Sequence, residues 1–413
     1  MKRATCLLLG LLPLGAACDD RNLTLCDITT SACQEDLYYA DLRVRGDGYD
    51  PFGGMPPIRT ISEDQYREEL KAEAAAAPST DASPWWDTAL KLLHFVPETS
   101  VEETSIDNDV TNVAAYYSPE SKSVTVVSHP VDPSQASDTE ARLNQQIASM
   151  TTLAHELIHA IQDRELNLRH IPAASSDEYL AGLALIEGDA SLYEDLVKYE
   201  IQLPYPYDWT SNDPAAYFSQ WRAAYLGDAF SELGAPFFAA KWLIYPLGGA
   251  WLADTWSKGG NAAVRHSYGN APKRSLDFLL GPGVAAPPEV PIDCFPASPG
   301  AAFLSENGKP YVVDALGALE FYAFLSAWNV PADDRLATAQ QWRNDVIFVY
   351  YNQTTKKTAV AWHIKLGRPL SESVLAAITA DGLRVATVGN SLMISATDDA
   401  DLAATWEPTP TCH

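Results

Sequence analysis

The stretch His155-Glu156-Leu157-Ile158-His159 limits the fold of this chain more than any other. Two imidazoles four residues apart share one face, about 6 Å from one another, only when the segment is α-helical. The flanking sequence supports that helix. Ser137 and Glu140 form a capping-box pair, and Leu143, Ile147, Met150, Ala154, Leu157, Ile158 and Ile161 recur at helical spacing. On such a helix the two rings are close enough to share one metal ion. Glu156 lies about 100° round from His155, where it can reach a metal-bound water without ligating and take its proton.

Zinc held by two histidines needs a third protein ligand, with the fourth position left for water. A histidine six residues after His159 is absent, because that position is Glu165, and Gln162 stands where that pattern needs glycine. Glu187 lies 28 residues beyond His159, on a second helix expected from about Ser176 to Tyr199. It shares a face with Leu180, Leu183, Ala184 and Ala190, and a charge on such a stripe is costly unless it is paired or binds metal. Glu187 is therefore the expected third ligand. Gly188 and Ala190 are expected to let this helix approach the first. Asp189 and Glu194 are candidates to accept the other N–H of the histidine ligands.

Around this pair the chain reads as α+β. Residues 19 to about 55 show little periodicity and read as a tether and irregular start. Residues 61–76 read as a helix capped by Ser62, and Ala77 to Pro84 as a loop. Residues 113–127 give a β-hairpin pattern with a turn at Ser118-Pro119-Glu120-Ser121. Short helices are expected around Trp221, and another helix from about Phe237 to Ser257. Near the end, strands at Val346–Tyr351 and Thr358–Ile364, a helix at Ser371–Thr379, and strands at Leu383–Val388 and Leu392–Ser395 make a small ββαββ unit.

The chain has 413 residues, of which 47% are hydrophobic, enough for a sizeable core and too many for a disordered chain. With 28 Lys+Arg against 54 Asp+Glu the net charge is −26, which argues against a nucleic-acid partner. Met1-Lys2-Arg3, the apolar run Leu7 to Leu14 and the small residues before Cys18 have the three-part form of an export signal over residues 1–17. The run is too short to span a bilayer. Its end resembles a bacterial lipobox, with Gly15 where a branched apolar residue is usual, which implies a lipid on Cys18 as the only membrane attachment of an envelope protein. Cleavage near Ala17, giving a soluble exported chain, is the alternative. Cys26, Cys33, Cys294 and Cys412 then remain, with three pairings open. Cys26 with Cys33 would close a short loop, and Cys294 with Cys412 would tie back the C-terminus. Two disulfides in an oxidising compartment are expected.

His155-Glu156-Leu157-Ile158-His159-Ala160-Ile161-Gln162-Asp163, followed by Ala184-Leu185-Ile186-Glu187-Gly188-Asp189-Ala190, resembles zinc metallopeptidases of the gluzincin group. More narrowly, it resembles exported bacterial proteins with an "HExxHAxQD … EGxA" pattern. The hairpin Tyr116 to Val127, Tyr245-Pro246 with Gly249, Gly259-Gly260, Asn270 to Pro272 with Ser275, and Trp342-Arg343-Asn344-Asp345 extend the resemblance. It implies a zincin-like core, here residues 56–335 after a tether at 18–55, and a small α+β unit at 336–413. It further implies one zinc ion per chain on His155, His159 and Glu187, Glu156 as general base, and a peptide or protein substrate. A zincin sheet can bind an extended peptide at its edge, and Ser123–Val127 is the expected edge strand. One position departs from the family. Gly281-Pro282 stands where a His-Pro is usual, so Tyr245, His266 and Tyr268 are candidates to donate to a developing oxyanion. The same departure motivates an alternative, a zinc-binding envelope protein without turnover.

Overall fold

The computed structural model describes residues 23–46, 54–76, 84–96, 106, 110, 113–128, 139–202, 213–227, 230, 236–292, 294–380, 383–407 and 410–412. From the N-terminus, helix α1 (Ser31–Arg45) precedes strand β1 (Ile58–Ser62), helices α2 (Glu63–Ala76) and α3 (Pro84–Leu92), and the hairpin β2 (Ala115–Ser118) and β3 (Ser123–Ser128). The middle is helical, with α4 (Thr139–Leu166), α5 (Ser176–Lys198), α6 (Pro214–Tyr225), α7 (Pro236–Tyr268) and the short α8 (Ser275–Leu280). Then follow β4 (Cys294–Pro296), β5 (Val312–Asp314), α9 (Gly317–Ala327), α10 (Ala332–Ala339), β6 (Trp342–Asn352) and β7 (Lys357–Leu366). The chain closes with α11 (Glu372–Ala380), β8 (Arg384–Val388), β9 (Ser391–Thr397), α12 (Ala400–Thr405) and β10 (Pro410–Cys412). The fold is α+β. The proposed signal and Cys18 lie outside the described residues.

Local chemistry sets the ends of the helices that matter here. Ser62 and Gln65 cap α2 reciprocally: the Ser62 hydroxyl accepts the Gln65 N–H at 3.2 Å, and the Gln65 side chain accepts the Ser62 N–H at 2.9 Å. Ser175 caps α5 by accepting the Glu178 N–H at 3.2 Å. Ser137 lies outside the described residues, and α4 is described from Thr139. At its far end Asn167 takes φ 55°, and Asp163 receives both the Asn167 N–H on its carbonyl and the Leu168 N–H on its side chain. That left-handed step stops the helix.

Before α4, two sequence expectations need correction. The N-terminal segment is not irregular, because residues 31–45 form α1, capped by Thr30. Its inward face mixes Leu37 and Leu42 with the buried charges Asp41 and Arg45, which breaks the apolar periodicity that marks a helix. The second correction concerns β3, which is central and not an edge. The small sheet runs β1-β3-β2, with β1 parallel and β2 antiparallel to β3. Val124 to Val127 are buried without interruption, as expected of a strand covered on both faces.

Helices α5 and α7 cross at glycine. Gly188 packs on Gly248, not on α4 as its sequence position suggested. A Cβ on Gly248 would run into the Ala184 carbonyl, and a Cβ on Gly188 into the Gly248 backbone. Because neither obstacle is a flexible side chain, Gly248→Ala is expected to lower stability by at least about 2 kcal/mol, read as a shifted denaturant midpoint; an unchanged midpoint would contradict this close approach. Helix α7 also passes the expected end at Ser257, breaks at Gly260 (φ 60°, ψ −158°) and resumes to Tyr268.

The C-terminal sheet has the order β5-β6-β7-β9-β8, so the expected ββαββ unit gains one strand, β5. Its link to the helices is Asp345 on β6, buried, with four donors: the N–H groups of Leu316 and Gly317 at 2.9 Å each, and the indoles of Trp342 and Trp362 at 3.0 and 2.7 Å. One hydrophobic core then continues from Leu37 through Leu157 and Phe321 to Trp362 and Ile394. Cys26 and Cys33 are bonded, S–S 2.00 Å. Strand β10 runs antiparallel to β4 and sets Cys412 opposite Cys294. Among the described residues no helix is long and apolar enough to cross a membrane.

Candidate metal centre

Helix α4 brings His155 and His159 to one face, both buried, and α5 delivers Glu187 against them. The two Nε2 atoms are 3.1 Å apart, and Glu187 Oε2 lies 3.1 Å from that of His155 and 3.2 Å from that of His159. The three atoms form a nearly equilateral triangle. Ligands about 2.0 Å from a tetrahedral ion are about 3.3 Å from each other, so this triangle can accept one. The group His155, Glu156 and His159 could hold a metal ion, their ligand atoms lying within 4.8 Å of one another. Glu187 completes it better than Glu156 does, because Glu156 Oε2 is already engaged by the Tyr117 N–H of β2 at 2.7 Å.

The rings are oriented from behind. His155 Nδ1 is 3.1 Å from Glu194 Oε2, and His159 Nδ1 is 2.7 Å from Gln162 Oε1. With each Nδ1 donating to oxygen, each Nε2 faces the triangle and offers it a lone pair once the ring is neutral. Gln162 donates in turn to Asp189 Oδ2 at 2.7 Å and to the Ile186 carbonyl at 3.0 Å. Asp189, fully buried, also receives Arg45 Nη1 at 2.9 Å and the Tyr268 hydroxyl at 2.8 Å. A chain of contacts thus runs from His159 through Gln162 and Asp189 to Arg45 on α1. Asp189 and Glu194 were read from sequence as possible supports. Gln162 and Arg45 were not. Gln162 was legible, since a residue three after His159 sits beside it on the helix.

The two carboxylates titrate in opposite directions. Burial raises Glu156 above the ordinary glutamate value, against the pull of His159 and His155. Burial also opposes the charge on Glu187, but the two imidazoles outweigh it and hold that carboxyl far below its usual range. Environments that separate two carboxyl groups in this way assign them different work. The metal-free rings hold protons: burial opposes the charge on His155, yet its bonds to Glu187 and Glu194 lift its pKa well above normal, and His159 is raised by Glu187 in the same way. Ligation needs those lone pairs, so ion uptake at pH 7 is expected to release at least one proton. Affinity is expected to rise with pH until the rings are neutral. Calorimetry in buffers of different ionisation enthalpy measures the release, and a value of zero would contradict it.

The oxyanion candidates separate. Tyr245 belongs to the centre. Its ring lies 5.8 Å from that of His155, and it lines the same cleft as Glu187. Burial first, then Glu187, pushes its pKa well above normal, so the phenol stays a donor. Tyr268 is committed to Asp189. His266 does not reach the centre: it is exposed near the end of α7, with Nε2 3.3 Å from Asn270 Nδ2. Tyr268 faces inward, and a residue two positions earlier is about 200° round the helix, which turns His266 to solvent. Gly281 (φ 92°) ends α8 and has the Arg222 guanidinium as its nearest side chain. Compared with protein-family profiles, curated proteins and solved structures, the chain matches none of them.

Proposed function

We propose that this chain is a zinc-dependent peptide hydrolase with a zincin-like core. The observation that carries the reading is the triangle of His155, His159 and Glu187 with a fourth group, Glu156, held beside it by a sheet-edge amide. Two imidazoles and one carboxylate with an open fourth position are a donor set suited to catalytic zinc. When bound, zinc supplies a Lewis acid that polarises a carbonyl and brings the pKa of a coordinated water towards about 7.

The chain's own groups account for the rest. The Tyr117 N–H fixes Glu156 Oε2 and leaves Oε1 to accept a proton from the attacking water. Burial raises the basicity of that carboxylate, which suits a base working near neutral pH. Once protonated, it can return the proton to the departing amine. The Tyr245 phenol sits beside the ligands as a hydrogen-bond donor for the oxyanion that forms as the carbonyl is attacked. Strand β2, an edge of the small sheet, borders Glu156 and can receive an extended peptide by strand addition. The Cys26–Cys33 bond supports an oxidising compartment, as an exported protein would have.

The test is digestion of a mixed peptide library by the zinc-loaded chain, before and after metal removal by a chelator. Cleavage that disappears with the metal and returns with zinc is expected. Stoichiometric zinc with no cleavage would favour the metal-binding protein without turnover.

A further inference from the structure

A cleft of about 490 Å³ opens beside the centre, with Glu187 and Tyr245 in its lining. Its walls are largely apolar, with Trp86 of α3 and Trp242 of α7 among them. Helix α9 adds a stripe in which Glu320 stands one turn from Leu316 and one turn from Phe324. Glu320 is a half-buried residue whose Oε2 is itself buried and has no hydrogen-bond partner. Leaving such a group without a donor in an apolar setting is costly. Burial lifts its pKa to about 8; Lys241, exposed at the rim, pulls it down, while Asp314 and Asp345 push it up. An ammonium or guanidinium seated on Oε2 would supply the donor that this atom lacks.

We propose that Glu320 is the specificity-determining residue of this cleft and takes a cationic group, an ammonium or guanidinium, carried on an apolar stem. The aromatic lining matches the stem, and Trp86 and Trp242 in that lining are of the ring type that attracts a guanidinium. The net charge of −26 draws cationic ligands towards the chain. Glu320 lies outside the metal ligands, and Ser176, also in the lining, is about 16 Å along α5 from Glu187 at 1.5 Å per residue. The cationic residue can therefore sit at a distance from the scissile bond. That the carrier is a peptide rests on the proposed peptidase reading.

The experiment uses the zinc-loaded full chain carrying Glu156→Gln, so that ligands bind without turnover. Probes are acetylated, amidated alanine hexapeptides with one arginine, citrulline or norleucine placed at each position in turn. Binding is followed by Trp fluorescence and calorimetry. At one position arginine is expected to bind at least tenfold more tightly than citrulline or norleucine. Adding Glu320→Leu or Glu320→Gln should abolish that preference while norleucine binding is kept. Both substitutions take away or neutralise a carboxyl whose Oε2 has no hydrogen-bond partner, so the fold should tolerate them. Equal binding of the three probes, binding of none, or a preference that survives Glu320→Leu would overturn the assignment. Discrimination here with no cleavage by the wild-type chain would leave Glu320 in its role and remove the peptidase reading. Cleavage without discrimination would do the reverse.

Discussion

Glu156→Gln is expected to leave zinc content unchanged and to lower kcat for peptide hydrolysis by about 10²- to 10⁴-fold, the range for loss of a positioned general base. The glutamine side chain is isosteric, and its oxygen can still accept the Tyr117 N–H that holds Glu156 now. What disappears is the basic lone pair. Because His155, His159 and Glu187 already form the ligand triangle, metal affinity should change little. Metal analysis on the purified variant makes the comparison decisive. Equal zinc and equal rates would remove Glu156 from the chemistry, and lost zinc would make it a ligand.

Arg45→Met is expected to carry the largest stability cost, about 3–5 kcal/mol, the range for removing one partner of a buried ion pair. The Arg45 side chain is 3% exposed and its partner Asp189 is fully buried. Methionine fills similar volume but leaves the carboxylate with only the Gln162 amide and the Tyr268 hydroxyl. Because Gln162 also orients His159, the effect should reach the metal: supporting contacts of this kind are typically worth 10- to 100-fold in affinity. Chemical denaturation of the metal-free protein and a competitive zinc titration check the two halves separately. A native denaturation midpoint would refute the stability claim.

The legibility of the fold follows the range of the interactions. Helix α4 was readable because its apolar spacing is local, and Glu187 because a lone charge on an apolar stripe is conspicuous. The C-terminal strands were readable because their alternating and β-branched runs are bounded by turns. The position of β3 in its sheet depends on β1, whose Ile58 pairs with Val124 across a long stretch of chain. No local pattern encodes that partner. Arg45 was hidden for the same reason, since its charge makes sense only beside Asp189, 144 residues away.

Tyr117 meets α4 at two levels. Its backbone N–H donates to Glu156, and its phenol donates to Asp163 Oδ2 at 2.9 Å, two turns further along. The first bond is insulated from sequence drift, because every residue except proline carries that amide. The second depends on the tyrosine itself. Substitution at this position can therefore loosen the strand from the helix by degrees while the carboxylate keeps its aim, and only proline would undo both at once.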